Sequence, residues 1–225
     1  MNSQCVLLFV EYPEPGMVKT RLAADVGAEP AARLARAMAE DALAAVQALA
    51  ETDLILCFAP KRREREMRHW LGREQKYWPQ EGGDEGKRRN HAVTSAFRRG
   101  YERVAIVDTD VPEMHAEAVA QALDSLRKYP SCLGPARGGG YWLIGFAASA
   151  YSPGVFHGIP WRTAQEFERT LHYLESRELV PFRASTYQEV NTLAGWRSLA
   201  RSGGIRPGTR TRMETDRVLG AQAAQ

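Results

Sequence analysis

Short apolar runs alternate with longer amphipathic segments along the first 130 residues of the chain. Residues 5–10, 53–59 and 104–107 are apolar throughout except for Asp53, and such runs are typical of strands buried on both faces. The segments between and after them have the spacing or composition of helices, and they cover residues 28–50, 61–71, 87–100 and 114–129. This alternation predicts an α/β fold with a mostly parallel central sheet, flanked by helices and joined by right-handed crossovers.

The pattern changes beyond residue 130. Residues 131–146 contain a glycine-rich bend between two short strands. A helix is expected over residues 164–177, with Thr163 as its N-cap and Glu166 completing a capping box, and an edge strand over residues 179–184. A short helix then runs through Leu199. The Gly-, Arg- and Thr-rich segment 203–225 is expected to be a loosely held tail after a single domain of residues 1–202.

Composition narrows the possible classes of protein. The chain has 225 residues, of which 44% are hydrophobic, and this is enough for one sizeable core. Its 30 Lys and Arg against 27 Asp and Glu give a net charge of only +3, so nothing demands nucleic acid or a membrane surface. No apolar stretch approaches the roughly 18 residues of a membrane helix. The three cysteines are far apart, as buried reduced thiols would be, and we expect a cytoplasmic protein.

The strand at residues 104–107 leads directly into Asp108-Thr109-Asp110. Ligands of open α/β sheets bind outside the carboxyl ends of strands, and two carboxylates there suit Mg²⁺ or Mn²⁺ bound to a diphosphate. The triplet could equally be a structural turn or a helix cap.

The loop after the first strand is the second candidate. Gly16, Lys19, Thr20 and Arg21 gather backbone donors and two cations there, which would suit a phosphate group. The loop is not a Walker A motif, and its cations could simply be solvated.

Glycine-rich stretches mark the remaining candidates. Asp84 lies among three glycines in residues 81–86, and Gly139 and Gly140 precede Tyr141. Such glycines permit close approach of a substrate, but they also make ordinary turns, and the aromatic side chain could be core. The five histidines show no spacing typical of a zinc site or a catalytic triad.

Five sequence motifs, in their order along the chain, resemble those of a family of small bacterial transferases. The motifs are residues 13–22, residues 78–86, Asp108-Thr109-Asp110-Val111-Pro112, Gly134-Pro135-Ala136 with Gly139-Gly140-Tyr141, and Ile159-Pro160-Trp161. The family has the GT-A glycosyltransferase fold of the nucleotide-diphospho-sugar transferase superfamily, is often radical-SAM-associated, and is related to the guanylyltransferases of molybdopterin and phospholactate. The resemblance covers residues 5–199. It implies a single-domain, Rossmann-like GT-A fold with a nucleotide pocket.

The chain departs from the family pattern at three acidic positions. Asp108 is an additional carboxylate, where relatives have glycine. Gly138 stands where an aspartate is usual, and Asn191 replaces a second aspartate. Asp108 could compensate for these losses, or the site could have lost catalysis and only bind.

The leading hypothesis is a metal-assisted transferase that uses a nucleotide-diphosphate sugar and a small-molecule acceptor. Asp110, with Asp108, would hold Mg²⁺ or Mn²⁺, and Lys19 and Arg21 would stabilise the leaving diphosphate. Asp84 would orient the nucleotide or act as a base. The remaining expected substrate contacts are Gly16, Thr20, Gly139, Gly140, Tyr141 and Trp161. A nucleotidyltransferase acting on a nucleoside triphosphate, and a non-catalytic nucleotide-binding protein, are the alternatives.

Overall fold

The computed structural model describes the backbone of residues 2–223 and the side chains of residues 2–220. The strands in chain order are β1 Gln4–Glu11, β2 Asp53–Ala59, β3 Lys76–Pro79, β4 Arg103–Asp108, β5 Ser131–Arg137, β6 Tyr141–Ala147, β7 Pro181–Arg183 and β8 Tyr187–Gln188. The α-helices are α1 Thr20–Val26, α2 Ala28–Gln47, α3 Glu64–Leu71, α4 Glu85–Arg98, α5 Ala116–Ser125, α6 Glu166–Glu175, α7 Leu193–Arg201 and α8 Arg210–Ala223. Two short 3₁₀ helices cover Lys61–Arg63 and Pro153–Phe156.

The strands form one mixed sheet in the order β3-β2-β1-β4-β6-β5-β7, and β8 pairs with the end of β5. Every neighbouring pair is parallel except those that involve β6, which runs antiparallel to both β4 and β5. The expected single-domain α/β fold, with a mostly parallel sheet between helices, is confirmed. The carboxyl ends of β1, β3 and β4 therefore lie along one edge of the sheet.

The alternation of side chains along β1 divides the core into two layers. Val6 and Leu8 belong to the cluster that α2, α3 and α5 cover, whereas Leu7 and Phe9 belong to the cluster on the side of α4 and α6. Burial on both faces explains why the central strands are continuous apolar runs rather than alternating ones. The three cysteines are free and buried, as expected.

Several boundaries differ from the sequence expectation. Residues 61–71 begin as a 3₁₀ turn before α3, and the short edge strand β3 was not predicted. The helix expected from residue 164 begins at Glu166 with Gln165 as its N-cap, so the capping box was wrong. The Glu166 carboxylate instead accepts a 2.9 Å hydrogen bond from the backbone N–H of Arg162, which closes a loop beside the sheet edge.

The expected loose tail is wrong for its described part. Ile205 and Val218 join a buried cluster with Trp196 and side chains of α1 and α2, and the Trp196 indole donates to Thr215 Oγ1 at 2.9 Å. Asp41 of α2 accepts hydrogen bonds from the first backbone N–H groups of α8. Only a few apolar residues of this polar segment are buried, so its sequence pattern did not predict a helix. Residues 224 and 225 of the expected tail, and Met1 of the expected domain, lie outside the described residues.

None of the helices within residues 2–223 is both long and apolar enough to cross a membrane.

We expect Ile205→Ala to lower the free energy of unfolding by about 2–4 kcal/mol, because it removes a fully buried side chain and leaves a cavity. Urea denaturation followed by circular dichroism would measure the change. Met213→Ala is the matched control, since Met213 is 62% exposed on α8 and should change stability by less than about 0.5 kcal/mol. Equal, negligible effects of both changes would mean that the segment is a loose tail.

Candidate functional site

A cleft of 890 Å³ lies beyond the carboxyl ends of β1, β3 and β4. The strands supply Glu11 at the end of β1, Gln80 just after β3 and Asp108 at the end of β4. Eleven of the 27 lining residues carry ionisable acidic or basic side chains. The carboxylates are Glu11, Glu85, Asp108, Asp110, Glu166 and Glu189, and the cations are Lys19, Arg21, Arg89, Arg137 and Arg162.

Lys19 occupies the centre of a polar chain across the cleft. Its Nζ lies 2.6 Å from Asp110 Oδ1 and donates to Asn191 Oδ1 at 2.9 Å. Asn191 Nδ2 in turn donates to Glu189 Oε2 at 3.1 Å. The backbone N–H of Val190 donates to the carbonyl of Asp110 at 3.0 Å, which holds the segment after β8 against the end of β4.

Two of the basic residues that line the cleft have a left-handed backbone conformation, which is unfavourable for residues other than glycine. Lys19 has φ +48° at the N-cap of α1, and Arg162 has φ +63°. Left-handed backbone costs a non-glycine residue on the order of 1–2 kcal/mol. Such conformations persist where surrounding contacts impose them, and they concentrate at functional sites.

Arg89 is the buried support of the cleft. Its Nη2 donates to both oxygens of Asp108, at 2.8 and 3.1 Å, and its Nε donates to Glu85 at 3.1 Å. The guanidinium carbon lies 5.3–5.6 Å from the ring centres of three aromatic side chains, and this geometry favours a cation. These are Phe9, Tyr141 and Trp161. Arg89 therefore joins β1, β4, α4 and β6 through one charge.

Burial and the repulsion between neighbouring carboxylates raise the pKa values of several acidic side chains in the cleft. Burial raises the pKa of Glu189 to about 7, and the carboxylates of Asp110 and Asp108 add to this rise against the opposing charge of Lys19. Burial raises the pKa of Asp108 as well, although the paired Arg89 guanidinium opposes this rise and favours the ionised form. The pKa of Glu166 is raised for the same first reason. The cleft thus contains a partly exposed carboxylate, Glu189, that changes charge near neutral pH.

Two cations of the lining have no ion pair or hydrogen bond within the described part of the chain. These are Arg21, on α1, and Arg137, at the end of β5. Both are exposed to the cleft, whereas Lys19 and Arg89 are already paired. An anion entering the cleft would therefore meet two unpaired guanidinium groups.

The structure brings most of the predicted site residues together. Those that line the cleft are Lys19, Thr20, Arg21, Asp108, Asp110, Gly140, Tyr141 and Trp161. Tyr141 is only 1% exposed, so it contributes mainly as packing against Arg89.

Three predicted residues are not part of the lining. Asp84 is exposed and caps α4, where its Oδ1 accepts a 2.7 Å hydrogen bond from the backbone N–H of Lys87. Gly16, with φ +79°, supplies the left-handed position of the turn closed by Met17 N–H and Glu14 C=O. A side chain at Gly139 would overlap the backbone of Ala164. Each of these positions has a structural reason for its residue type.

Coordination of Mg²⁺ or Mn²⁺ by Asp108 and Asp110 does not fit the donor arrangement. Both oxygens of Asp108 accept from Arg89, and Asp110 faces the Lys19 ammonium. Within residues 2–220, no three His, Cys, Asp or Glu side chains are grouped so that they could hold a metal ion. A divalent ion would therefore compete with Arg89 for Asp108 and would share the Asp110 carboxylate with the Lys19 ammonium, whose charge repels it.

Sequence reasoning missed several lining residues as site members. Arg89 and Glu85 are one turn apart on a highly charged helix, and no pattern separates them from its solvated charges. Arg137 lies beside the glycine bend, and its position before Gly138 was the only available sign. Asn191 was identified only as a departure from the family pattern.

We expect Arg89→Met to lower the free energy of unfolding by about 3–5 kcal/mol, because it leaves the mostly buried Asp108 without its counter-charge. Replacing both partners, Arg89→Met with Asp108→Leu, should cost less than the sum of the two single changes. Urea denaturation would give all three values. Arg127→Met is the control, since its ion pair with Asp124 is exposed and contributes little. An Arg89 variant as stable as the control would contradict this role.

Solved structures with similar folds are known. A crystal structure from Desulfovibrio desulfuricans G20, provisionally assigned as a nucleotide-diphospho-sugar transferase, is 34% identical with a TM-score of 0.92, and the match covers 100% of this chain and 96% of that chain.

Two further structures share the fold at low identity. The CMP:2-keto-3-deoxy-manno-octonic acid synthetase bound to CTP is 9% identical, with a TM-score of 0.53 over 88% of this chain and 98% of that one. Glucosyl-3-phosphoglycerate synthase from Mycobacterium tuberculosis, bound to Mn²⁺, UDP and glucosyl-3-phosphoglycerate, is 10% identical, with a TM-score of 0.53 over 92% and 82%. These two likenesses show the fold, and the 34% identical structure from Desulfovibrio desulfuricans supports the nucleotide-diphospho-sugar transferase superfamily expected from the motifs.

No curated protein sequence matches the chain. A family model described as "Uncharacterized protein conserved in bacteria (DUF2064)" matches residues 42–163, which is more than half of the chain. The protein therefore belongs to the DUF2064 family.

Proposed function

We propose that this protein is a transferase whose donor is a nucleotide-diphosphate sugar. The observation that carries the proposal is that two guanidinium groups, Arg21 and Arg137, have no partner among the described side chains and line a cleft beyond the carboxyl ends of parallel strands. A diphosphate with two negative charges is a ligand that two such groups can bind through charge-assisted hydrogen bonds. The nucleotide ligands and sugar substrates of the similar folds support this choice.

The reaction would transfer the sugar from the diphosphate to an acceptor hydroxyl. The bond between the acceptor oxygen and the anomeric carbon forms, and the bond between that carbon and the diphosphate oxygen breaks. The electron pair of the broken bond stays on the diphosphate, so negative charge develops there. Arg21, Arg137 and the Lys19 ammonium would stabilise this charge, and Asp110 and Asn191 hold the ammonium in place before the reaction begins.

The proton of the acceptor hydroxyl needs a base, and Glu189 is the group we propose. Its pKa of about 7 is well matched to proton transfer at neutral pH, where an ordinary glutamate would be a weaker base. Asn191 holds its Oε2 by a hydrogen bond. We assign no catalytic role to Asp84, since it caps α4 on the exposed surface.

The proposed reaction has no step at a divalent cation, because Asp108 is paired with Arg89 and Asp110 with Lys19. The radical-SAM-associated and guanylyltransferase subtypes, and cytoplasmic location, stay predictions.

Calorimetric titration with UDP-glucose, ADP-glucose, GDP-mannose and CTP would test the proposal. Turnover of the tightest ligand would follow, with products separated by chromatography. Release of a nucleoside diphosphate supports sugar transfer. Release of pyrophosphate from CTP would indicate nucleotidyl transfer instead, and binding without turnover would indicate a non-catalytic binder.

Arg21→Ala should weaken binding of the preferred nucleotide sugar by about 1.5–3 kcal/mol, which is roughly 10- to 150-fold, through loss of a charge-assisted hydrogen bond to phosphate. Calorimetry measures the change. Arg127→Ala removes an exposed arginine that follows α5 and does not line the cleft, so it should leave affinity unchanged. If both variants bind as the unchanged protein does, Arg21 is only a solvated cation.

Nucleotide-sugar affinity should fall as the pH rises from 6 to 8. Glu189 is mostly protonated at pH 6 and mostly ionised at pH 8, so its negative charge opposes the diphosphate only at the higher pH. We expect a weakening of about fivefold, or about 1 kcal/mol. UDP-glucose suits this measurement because its esterified phosphates do not titrate near neutrality. Glu189→Gln should reduce the dependence, and a variant that keeps all of it would contradict the assignment.

A further inference from the structure

The Lys19 ammonium is bound by side-chain oxygen atoms, as a metal cation would be. The carboxylate of Asp110 and the amide oxygen of Asn191 lie 2.6 and 2.9 Å from Lys19 Nζ. The Lys19 side chain is only 5% exposed, so its charge lies within the wall of the cleft rather than in bulk water. A desolvated charge acts more strongly on a nearby anion than a solvated one does.

The ammonium also has bonding capacity to spare. It carries three N–H donors, and Asp110 and Asn191 take two of them. Within residues 2–220 no third acceptor is present for Lys19, and the residue lines the cleft. The remaining donor can therefore serve an oxygen of the diphosphate.

The neighbouring residues suit an ammonium better than a divalent ion. Asn191 is neutral, and it uses its oxygen for Lys19 and its N–H for Glu189. A carboxylate in its place would instead face Glu189 with like charge. Gly138 lines the same cleft with φ +119°, a conformation that side chains rarely adopt, so this bend supplies no carboxylate. Asp108 is committed to Arg89.

We infer that the Lys19 ammonium is the resident cation of this site, so that the protein binds a nucleotide-diphosphate sugar without a divalent metal. The inference rests on the proposed function. Lys19 would donate to the diphosphate from a position fixed by Asp110 and Asn191. The left-handed backbone of Lys19 is the conformational cost of holding its side chain there.

The test compares UDP-glucose and ADP-glucose binding by calorimetry in EDTA and in 1 mM MnCl₂. We expect the dissociation constant of the bound sugar nucleotide to agree within about twofold between the two conditions. Electron paramagnetic resonance should show the full signal of free Mn²⁺ in the presence of the unchanged protein. Binding that requires Mn²⁺ would overturn the inference and leave the proposed function standing. Absence of binding under both conditions would overturn both, and turnover of CTP alone would overturn the proposed donor.

Two variants test the residue itself. Lys19→Met should weaken binding in EDTA at least tenfold, whereas Lys87→Met, which removes an exposed lysine paired with Asp84, should have no effect. Asn191→Asp adds a carboxylate beside Asp110 and should create measurable Mn²⁺ affinity, seen as loss of the free-ion signal, most clearly when combined with Lys19→Met. Thermal unfolding would show whether each variant is folded. Unchanged affinity of folded Lys19→Met in EDTA would contradict the inference. If that variant does not fold, the affinities of the unchanged protein in EDTA and in MnCl₂ test the inference by themselves.

Discussion

The buried guanidinium of Arg89 is the interaction on which the cleft depends. It lies among three aromatic rings and binds the carboxylates of Asp108 and Glu85, so one charge joins α4 to β1, β4 and β6. Burying a charge costs several kcal/mol unless it is paired and hydrogen-bonded. This requirement fixes the positions of its partners. The floor of the cleft is therefore set by electrostatic pairing, in addition to hydrophobic packing.

Ion pairing also decides which groups are available for chemistry at the carboxyl end of β4. Asp108 and Asp110 are two residues apart, but each faces a different cation, Arg89 below the cleft and Lys19 across it. Each carboxylate is thus paired with a cationic side chain from a different element. Arg21 and Arg137 have no partner among the described side chains, so the cleft combines available positive charge with Glu189, whose charge changes near neutral pH. That combination suits a diphosphate leaving group and an acceptor that loses a proton.

Much of the fold was predictable because burial leaves a direct mark on sequence. Strands β1, β2 and β4 are covered on both faces, so their residues must be continuously apolar, and their positions were confirmed. A parallel sheet then aligns their carboxyl ends, which is why Lys19 and Asp110, 91 positions apart, were expected to share one crevice. Helix α8 and strand β3 were missed, because each buries only a few side chains and the local pattern is faint.

The sequence by itself thus determined the layers of the fold and the edge of the sheet at which polar side chains converge. Only the tertiary structure decided the partner of each charge. Asp84 and Asp108 both looked available for chemistry, yet one caps a helix and the other neutralises a buried arginine from a different element. Hydrophobic periodicity is a property of neighbouring positions along the chain. The role of a carboxylate depends on which cation lies within about 3 Å of it, and that distance joins residues that the sequence holds far apart.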